Sequence, residues 1–139
     1  MASNTELLLR LQTDVLEAVA RDDALAEVGT VLCRQVEENC PGVTCSILLV
    51  DEQKKLRPLA APGLPQSYSR AIDGVAIGPV VGSCGTAAWR NEAVEVTDIA
   101  SDPLWAQFRG LALPLGLRAC WSTPVRSNTG EVLATFAFY

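Results

Sequence analysis

Behind Ser3-Asn4-Thr5-Glu6, which has the form of a capping box, Leu7, Leu8, Leu11, Val15 and Val19 recur at helical spacing and predict an amphipathic helix within residues 1–21. Asp22 and Asp23 offer the next N-cap. Leu25, Val28, Leu32 and Val36 then mark a second apolar stripe that stops at Asn39-Cys40-Pro41-Gly42. From Val43 the period shortens to two: Cys45, Ile47 and Leu49 alternate with Ser46, Leu48 and Val50, and Asp51-Glu52-Gln53-Lys54 makes a polar turn into a second strand from Leu56 to Ala61. Pro58 has no N–H for the ladder, which places this strand at a sheet edge or makes it irregular.

The remaining pattern reads as a short helix over 66–73, a helix over about 84–90 and a strand over 93–97. Asp102 before Pro103 is an N-cap with proline at the first helical position. Leu104, Trp105, Phe108, Leu111 and Ala112 then share one face of a predicted helix that Pro114 and Gly116 end. Over 117–125 the residues Leu117, Ala119, Trp121, Thr123 and Val125 fall on one face. Ser127-Asn128-Thr129-Gly130 turns this strand into an antiparallel partner, Val132 to Tyr139. Because so apolar a strand rarely ends a domain in water, the chain is expected to be part of a longer protein.

Candidate chemistry concentrates at Gly82-Ser83-Cys84-Gly85-Thr86-Ala87-Ala88-Trp89. Two glycines bracket a cysteine at a helix entrance, where free amides and the helix dipole favour an anion or a thiolate. The composition narrows what such a site can do. With 139 residues, 49% of them hydrophobic, the chain is expected to form one domain over 1–139, and its net charge of -5 speaks against nucleic acid as a partner. No signal peptide or membrane-spanning segment is read, and membrane insertion is not expected. Five cysteines without a C-x-x-C pair read as free thiols in a reducing cytoplasm, and their spacing suggests no metal site. The chain has no histidine, which excludes Ser-His and Cys-His catalysis and His-ligated haem or zinc within it.

Taken with the order of elements, residues 82–88, Val94-Glu95-Val96-Thr97-Asp98-Ile99, Asp102-Pro103-Leu104-Trp105 and the stretch from Leu117 to Val125 resemble the GAF domain family, as found in bacterial sensor kinases and cyclic-di-GMP enzymes. The resemblance implies an α+β fold: a six-stranded antiparallel sheet flanked by helices, with long terminal helices on one face and a small-ligand pocket on the other. The C-terminal helix usual in the family is missing here. The implied role is a non-enzymatic sensory module of a signal-transduction protein, a two-component system or cyclic-di-GMP pathway among them. It would bind an unidentified small molecule, pair as a homodimer and act on a GGDEF, EAL or kinase output domain of the same parent chain. The lids of the pocket would be 74–89 and 98–113.

The resemblance also admits a dimerisation module with no ligand and a free methionine-(R)-sulfoxide reductase with Cys84 as the reactive thiol. Those reductases carry further cysteines in the second lid, where this sequence has none; Cys120, on a later strand, is the other candidate. The bilin-binding members pair their attachment cysteine with a histidine, so neither bilin nor haem is expected, and the cofactor is unknown. The expected ligand-binding residues are Ile77, Cys84, Gly85, Thr86, Asp98, Trp105, Phe108 and Trp121. Each has a plainer reading. Cys84 can be packing, Asp102 is a cap where Asp98 is not, and Trp121 in its strand reads as core. Trp105 and Phe108, on the lid helix, are the better aromatic candidates, with Trp89 as a third. Arg109, Arg118 and Arg126 are candidate anion contacts or solvated charges. Cys33 and Cys40, on one helix face, read as packing residues.

Overall fold

In the computed structural model we describe residues 25–139. The amphipathic helix read over 6–20 and the caps at Asp22 and Asp23 lie outside them. Helix α1 (Leu25–Asn39) buries Gly29, Cys33 and Val36, a four-then-three spacing that lays one stripe on the sheet. At Gly29 an added Cβ would stand 3.2 Å from the Ala60 side chain, so the helix axis approaches the sheet more closely than alanine permits.

Strands β1 (Cys45–Val50) and β2 (Leu56–Ala60) form the first hairpin, and β4 (Cys120–Arg126) and β5 (Val132–Phe138) the last, with β3 (Val94–Val96) between them in sequence. All pairings are antiparallel, in the order β2-β1-β5-β4-β3. The two hairpins therefore meet through β1 and β5 at the centre. Pro58 sits on the outer strand β2 opposite Leu48, beside a register shift between Ile47 and Leu48, as its missing N–H requires.

At the β1–β2 turn the Asp51 carboxylate accepts from the Lys55 and Gln53 amides at 2.9 Å and from Arg57 Nε at 3.0 Å. The Arg57 guanidinium also donates to Asp73 at 3.2 Å. These donors hold the Asp51 pKa below the usual carboxylate range, with the Lys55 amide the largest cause. A depressed native pKa contributes stability that is complete above the unfolded value and is lost as pH falls through the folded one. Asp51→Asn should therefore flatten the acid limb of the urea-stability profile below about pH 4; an unchanged limb would show that the turn does not depend on the ionised carboxylate.

The sheet has five strands among the described residues, one fewer than the resemblance implied. Residues 75–77 start a sixth beside β2: the Leu56 amide donates to the Val75 carbonyl at 2.8 Å and the Ile77 amide to the Lys54 carbonyl at 2.9 Å. A single bridge, Lys55 to Ala76, is all that forms. Gly74 at φ +87° on one side and Gly78-Pro79 on the other leave no length for a ladder.

Helices α2 (Gln66–Ile72) and α3 (Cys84–Arg90) match their expected spans. The helix expected after Asp102 is broken into a 3-10 turn (Pro103–Trp105), a short α4 (Arg109–Ala112) and a second 3-10 turn (Leu113–Leu115). Asp102 Oδ1 accepts from the Leu104 amide at 2.9 Å and caps the first turn; Pro114, expected to stop the helix, lies within the last turn, which Gly116 ends. On β4 the buried residues are Cys120, Ser122 and Pro124, the opposite phase from the one expected. Trp121, read as core, is 54% exposed. The strand starts only at Cys120, and the irregular, exposed Arg118 and Ala119 separate the phase of Leu117 from that of the strand.

Two apolar clusters occupy the two faces of the sheet. Beneath α1 lie Cys33, Val36, Cys45, Ile47, Ala60 and Ala134. On the other face α3 packs on β4, β5 and β3, and Leu48, Leu56, Tyr68, Cys84, Trp105 and Cys120 join the larger cluster. β1 serves both faces, which explains why both of its residue sets are apolar. No described helix is long and apolar enough to cross a membrane.

Candidate functional site

Between this second face and the helices lies a small, partly open cavity of about 30 Å³, room for a single water molecule. Leu48, Leu56 and Tyr139 form its floor, Tyr68 and Ile72 of α2 one wall, and Gly82 to Gly85 at the entrance of α3 the other. Trp105 and Phe108 close it.

Ser83 is the knot of the site. Its buried hydroxyl donates to the Cys120 carbonyl at 3.1 Å and accepts from Trp105 Nε1 at 3.0 Å, joining the α3 entrance, β4 and the second lid through one oxygen. The Gly82 amide donates to the Leu104 carbonyl at 2.7 Å and fixes the two lids to each other. Gly82 has φ +58°, with the Trp105 ring 3.6 Å from the position of an added Cβ. The left-handed backbone conformation calls for glycine there, while the ring stands at ordinary contact distance. Thr86 is fully buried, and its Oγ1 accepts from the Val81 amide at 3.0 Å, so it braces the loop.

At the floor the Tyr68 and Tyr139 hydroxyls are 3.1 Å apart and their rings meet edge-on at 6.0 Å, with Trp105 edge-on to Tyr139 at 6.4 Å. Burial pushes both phenol pKa values well above their ordinary range, so these hydroxyls stay neutral.

Cys84 behaves differently. Its pKa is brought down to about 7, mainly by hydrogen bonding from the Cys120 thiol, against the desolvation of burial and with help from Ser122, Thr135 and Tyr139. The Cys120 pKa is pushed up, first by burial and then by Cys84. From the sequence the helix entrance was the expected cause. In the structure α3 is seven residues long, Ser83 has helical dihedrals and makes no side-chain cap, and the tertiary neighbours on β4 and β5 do the lowering.

Of the eight expected ligand-binding residues, Cys84, Gly85, Trp105 and Phe108 line the cavity. The other four do not. Ile77 faces an outer groove that also contains Trp89, and Thr86 braces the loop. Asp98 is exposed and caps its own turn through the Ala100 amide at 3.1 Å and Ser101 Oγ at 2.8 Å. Trp121 shares the α1 face of the sheet, paired across strands with Phe138. Among the arginines, Arg109 donates to the Asp102 carbonyl at 3.0 Å and Arg126 pairs with Asn91, while Arg118 is exposed. Cys33 and Cys40 pack under α1 as expected, Cys33 fully buried and Cys40 partly. No group of three or more metal-ligating side chains is placed to hold a metal among the described residues.

Sequence reasoning missed Tyr68, Tyr139 and Ser83. The two tyrosines meet across 71 positions of sequence, and no local pattern carries that pairing. A serine beside the motif cysteine was visible, but its partners were not.

A sheet with helices on both faces and a small interior site walled by Gly82 to Gly85 and two irregular lids is the architecture of a GAF-type fold. The model of the family described as GAF domain matches residues 22–139, and the chain belongs to that family. A methyl sulfide methyltransferase-associated sensor of Methanosarcina acetivorans is 41% identical over 135 residues, which is 96% of this chain and 14% of that protein. The chain thus spans about one seventh of the length of this curated relative.

Two solved structures share the fold. The free methionine-R-sulfoxide reductase of Neisseria meningitidis, in complex with its substrate, superposes with a TM-score of 0.76 at 18% identity, covering 99% of this chain and 76% of that one. The GAF domain of a phosphoenolpyruvate-protein phosphotransferase of Coxiella burnetii does so with a TM-score of 0.73 at 18% identity, covering 98% and 79%.

Proposed function

We infer that this chain is a non-enzymatic sensory domain that takes a small molecule into the space between Tyr68, Cys84, Trp105, Phe108 and Tyr139. The carrying observation is that space itself: small, mostly apolar, and walled by two segments of irregular backbone that one direct amide-to-carbonyl bond, Gly82 to Leu104, links to each other. Small-molecule pockets run to roughly 300–1,000 Å³. A ligand larger than a few atoms must therefore part the lids, and that differential preference is what shifts the population.

The relative's name supports a sensing role, and the second lid supports the absence of catalysis. Residues 98–113 contain no cysteine to resolve a disulfide with Cys84 in the manner of the sulfoxide reductases. Within a longer protein the domain would act on an output domain of the same chain, and would pair with a second copy through the amphipathic stripe of residues 6–20.

Thermal-shift screening against metabolites and nucleotides tests the reading. A ligand at a hundred times its Kd should stabilise the chain by about 2.7 kcal/mol, and a Phe108→Trp variant, whose larger ring fills the site, should abolish that shift while staying folded. A shift that survives Phe108→Trp places the ligand elsewhere. Turnover of free methionine sulfoxide in a thioredoxin-coupled assay, lost in Cys84→Ser, overturns the non-enzymatic reading.

A further inference from the structure

Five cysteines are distributed as two buried neighbourhoods on opposite faces of the sheet, and the two differ in kind. Under α1, Cys33 and Cys45 are fully buried side by side with Cys40 near them, and the Cys45 pKa is raised, chiefly by its hydrogen bond with Cys33. On the other face Cys84 lines the cavity, and Cys120, at the start of β4, adjoins it in the same buried cluster. The two backbones are already tied there, because the residue before Cys84 donates from its hydroxyl to the Cys120 carbonyl.

Two further side chains stand at this second pair with no structural task. Ser122 and Thr135 are each fully buried on the same face of the sheet as this pair, and neither hydroxyl has a hydrogen-bond partner among the described residues. A buried hydroxyl left unpaired costs roughly 1–3 kcal/mol. Both can donate to a sulfur anion, and hydrogen bonds to a charged acceptor are roughly twice as strong as neutral ones. A site in which one thiol adjoins a second, faces two spare donors and opens on a void of water size is arranged to form a thiolate and to admit only a very small reagent.

We propose that Cys84 and Cys120 are a reversible dithiol–disulfide switch oxidised by small hydroperoxides that enter the cavity. In the first step the Cys84 thiolate attacks one peroxide oxygen; the S–O bond forms, the O–O bond breaks and the departing hydroxide takes up a proton to become water. Cys84 is then a sulfenic acid. In the second step the Cys120 sulfur attacks the Cys84 sulfur, the S–S bond forms, and the hydroxyl of the sulfenic acid leaves with the Cys120 proton as a second water. Two thiols are oxidised by two electrons and one hydroperoxide is reduced. An external dithiol restores the pair by thiol–disulfide exchange once the segments that wall the cavity part far enough to expose it. The bond would clamp the first residue of α3 to the first residue of β4, and so stiffen one wall of the cavity. This step needs none of the ligand binding proposed above.

The test treats the full chain with one equivalent of hydrogen peroxide at pH 7, quenches with acid, alkylates under denaturing conditions and maps peptides by mass spectrometry. A cross-link two hydrogens lighter than the sum of the Cys84 and Cys120 peptides is expected, with Cys33, Cys40 and Cys45 alkylated and unlinked. Cys120→Ser should leave a Cys84 sulfenic acid that dimedone traps, and Cys84→Ser should leave Cys120 reduced. Replacing both hydroxyls, in Ser122→Ala with Thr135→Val, should move the pH midpoint of oxidation upward from about 7 and slow the reaction at pH 6 by about tenfold for each pKa unit restored. The wild-type map requires no variant to fold. Cross-linking of Cys33 with Cys45 instead, or a fully folded chain whose Cys84 and Cys120 stay reduced or never join, overturns the switch. A failed ligand screen leaves it standing.

Discussion

Trp105→Ala is expected to lower the unfolding free energy by about 3–5 kcal/mol, the range for removing a large buried aromatic. Trp105 is 3% exposed, closes the cavity, meets Tyr139 edge-on and donates to Ser83, so both its volume and its N–H are in use. A domain holds about 5–15 kcal/mol in all. The variant should therefore show a large drop in urea midpoint at 25 °C with an unchanged slope, or fail to fold. Trp105→Phe separates the two contributions: it keeps most of the ring packing and forfeits one hydrogen bond, about 1 kcal/mol. An alanine variant within 1 kcal/mol of the wild type would show that the lid is not part of the core.

Gly85 should be the most intolerant glycine of the chain at the site. Its added Cβ would stand 2.5 Å and 2.6 Å from the Cγ1 and Cβ atoms of Val81, at a point where Val81 is held by the bond from its amide to Thr86. Gly85→Ala is expected to cost about 1–3 kcal/mol through overpacking, and to displace the loop that walls the cavity. Val81→Ala in the same chain should recover part of the loss, a coupling that a double-mutant cycle reads directly. Gly110→Ala is the control: nothing lies within 4 Å of its added Cβ, and alanine in a helix favours stability by about 1 kcal/mol. Equal effects at the two positions would refute the steric account.

Several elements were legible from residue order alone because the forces behind them are local. Asp102 caps the turn at Pro103 as its place before proline requires, and Pro58 lies on an outer strand because it cannot donate to a ladder. The Ser127 to Gly130 turn folds back through the Gly130 amide to the Ser127 carbonyl at 3.0 Å, and Gly130 takes φ +86°. The helix entrance at Cys84 also stood where its glycines indicated. Trp121 and Asp98 show the opposite case. Alternation states that one face of β4 differs from the other, but which face is buried depends on α3 and the lids, packed from elsewhere in the chain. The strand begins three residues later than the pattern suggested, and the phase reversed with it.

The opening motif shows where the division falls. By itself the sequence determined most of the described secondary elements, the family, the absence of histidine chemistry and the position of Cys84 at the head of a helix, since each rests on residue type, spacing and neighbours within a few positions. Only the tertiary structure decided that the interior space is the size of one water and that two tyrosines 71 positions apart share its floor. It alone put Cys120, Ser122 and Thr135 around the Cys84 sulfur. The helix was a poor guide to that thiol because seven residues give a weak dipole, whereas a neighbouring thiol and hydroxyl donors act at hydrogen-bond distance and dominate its charge state.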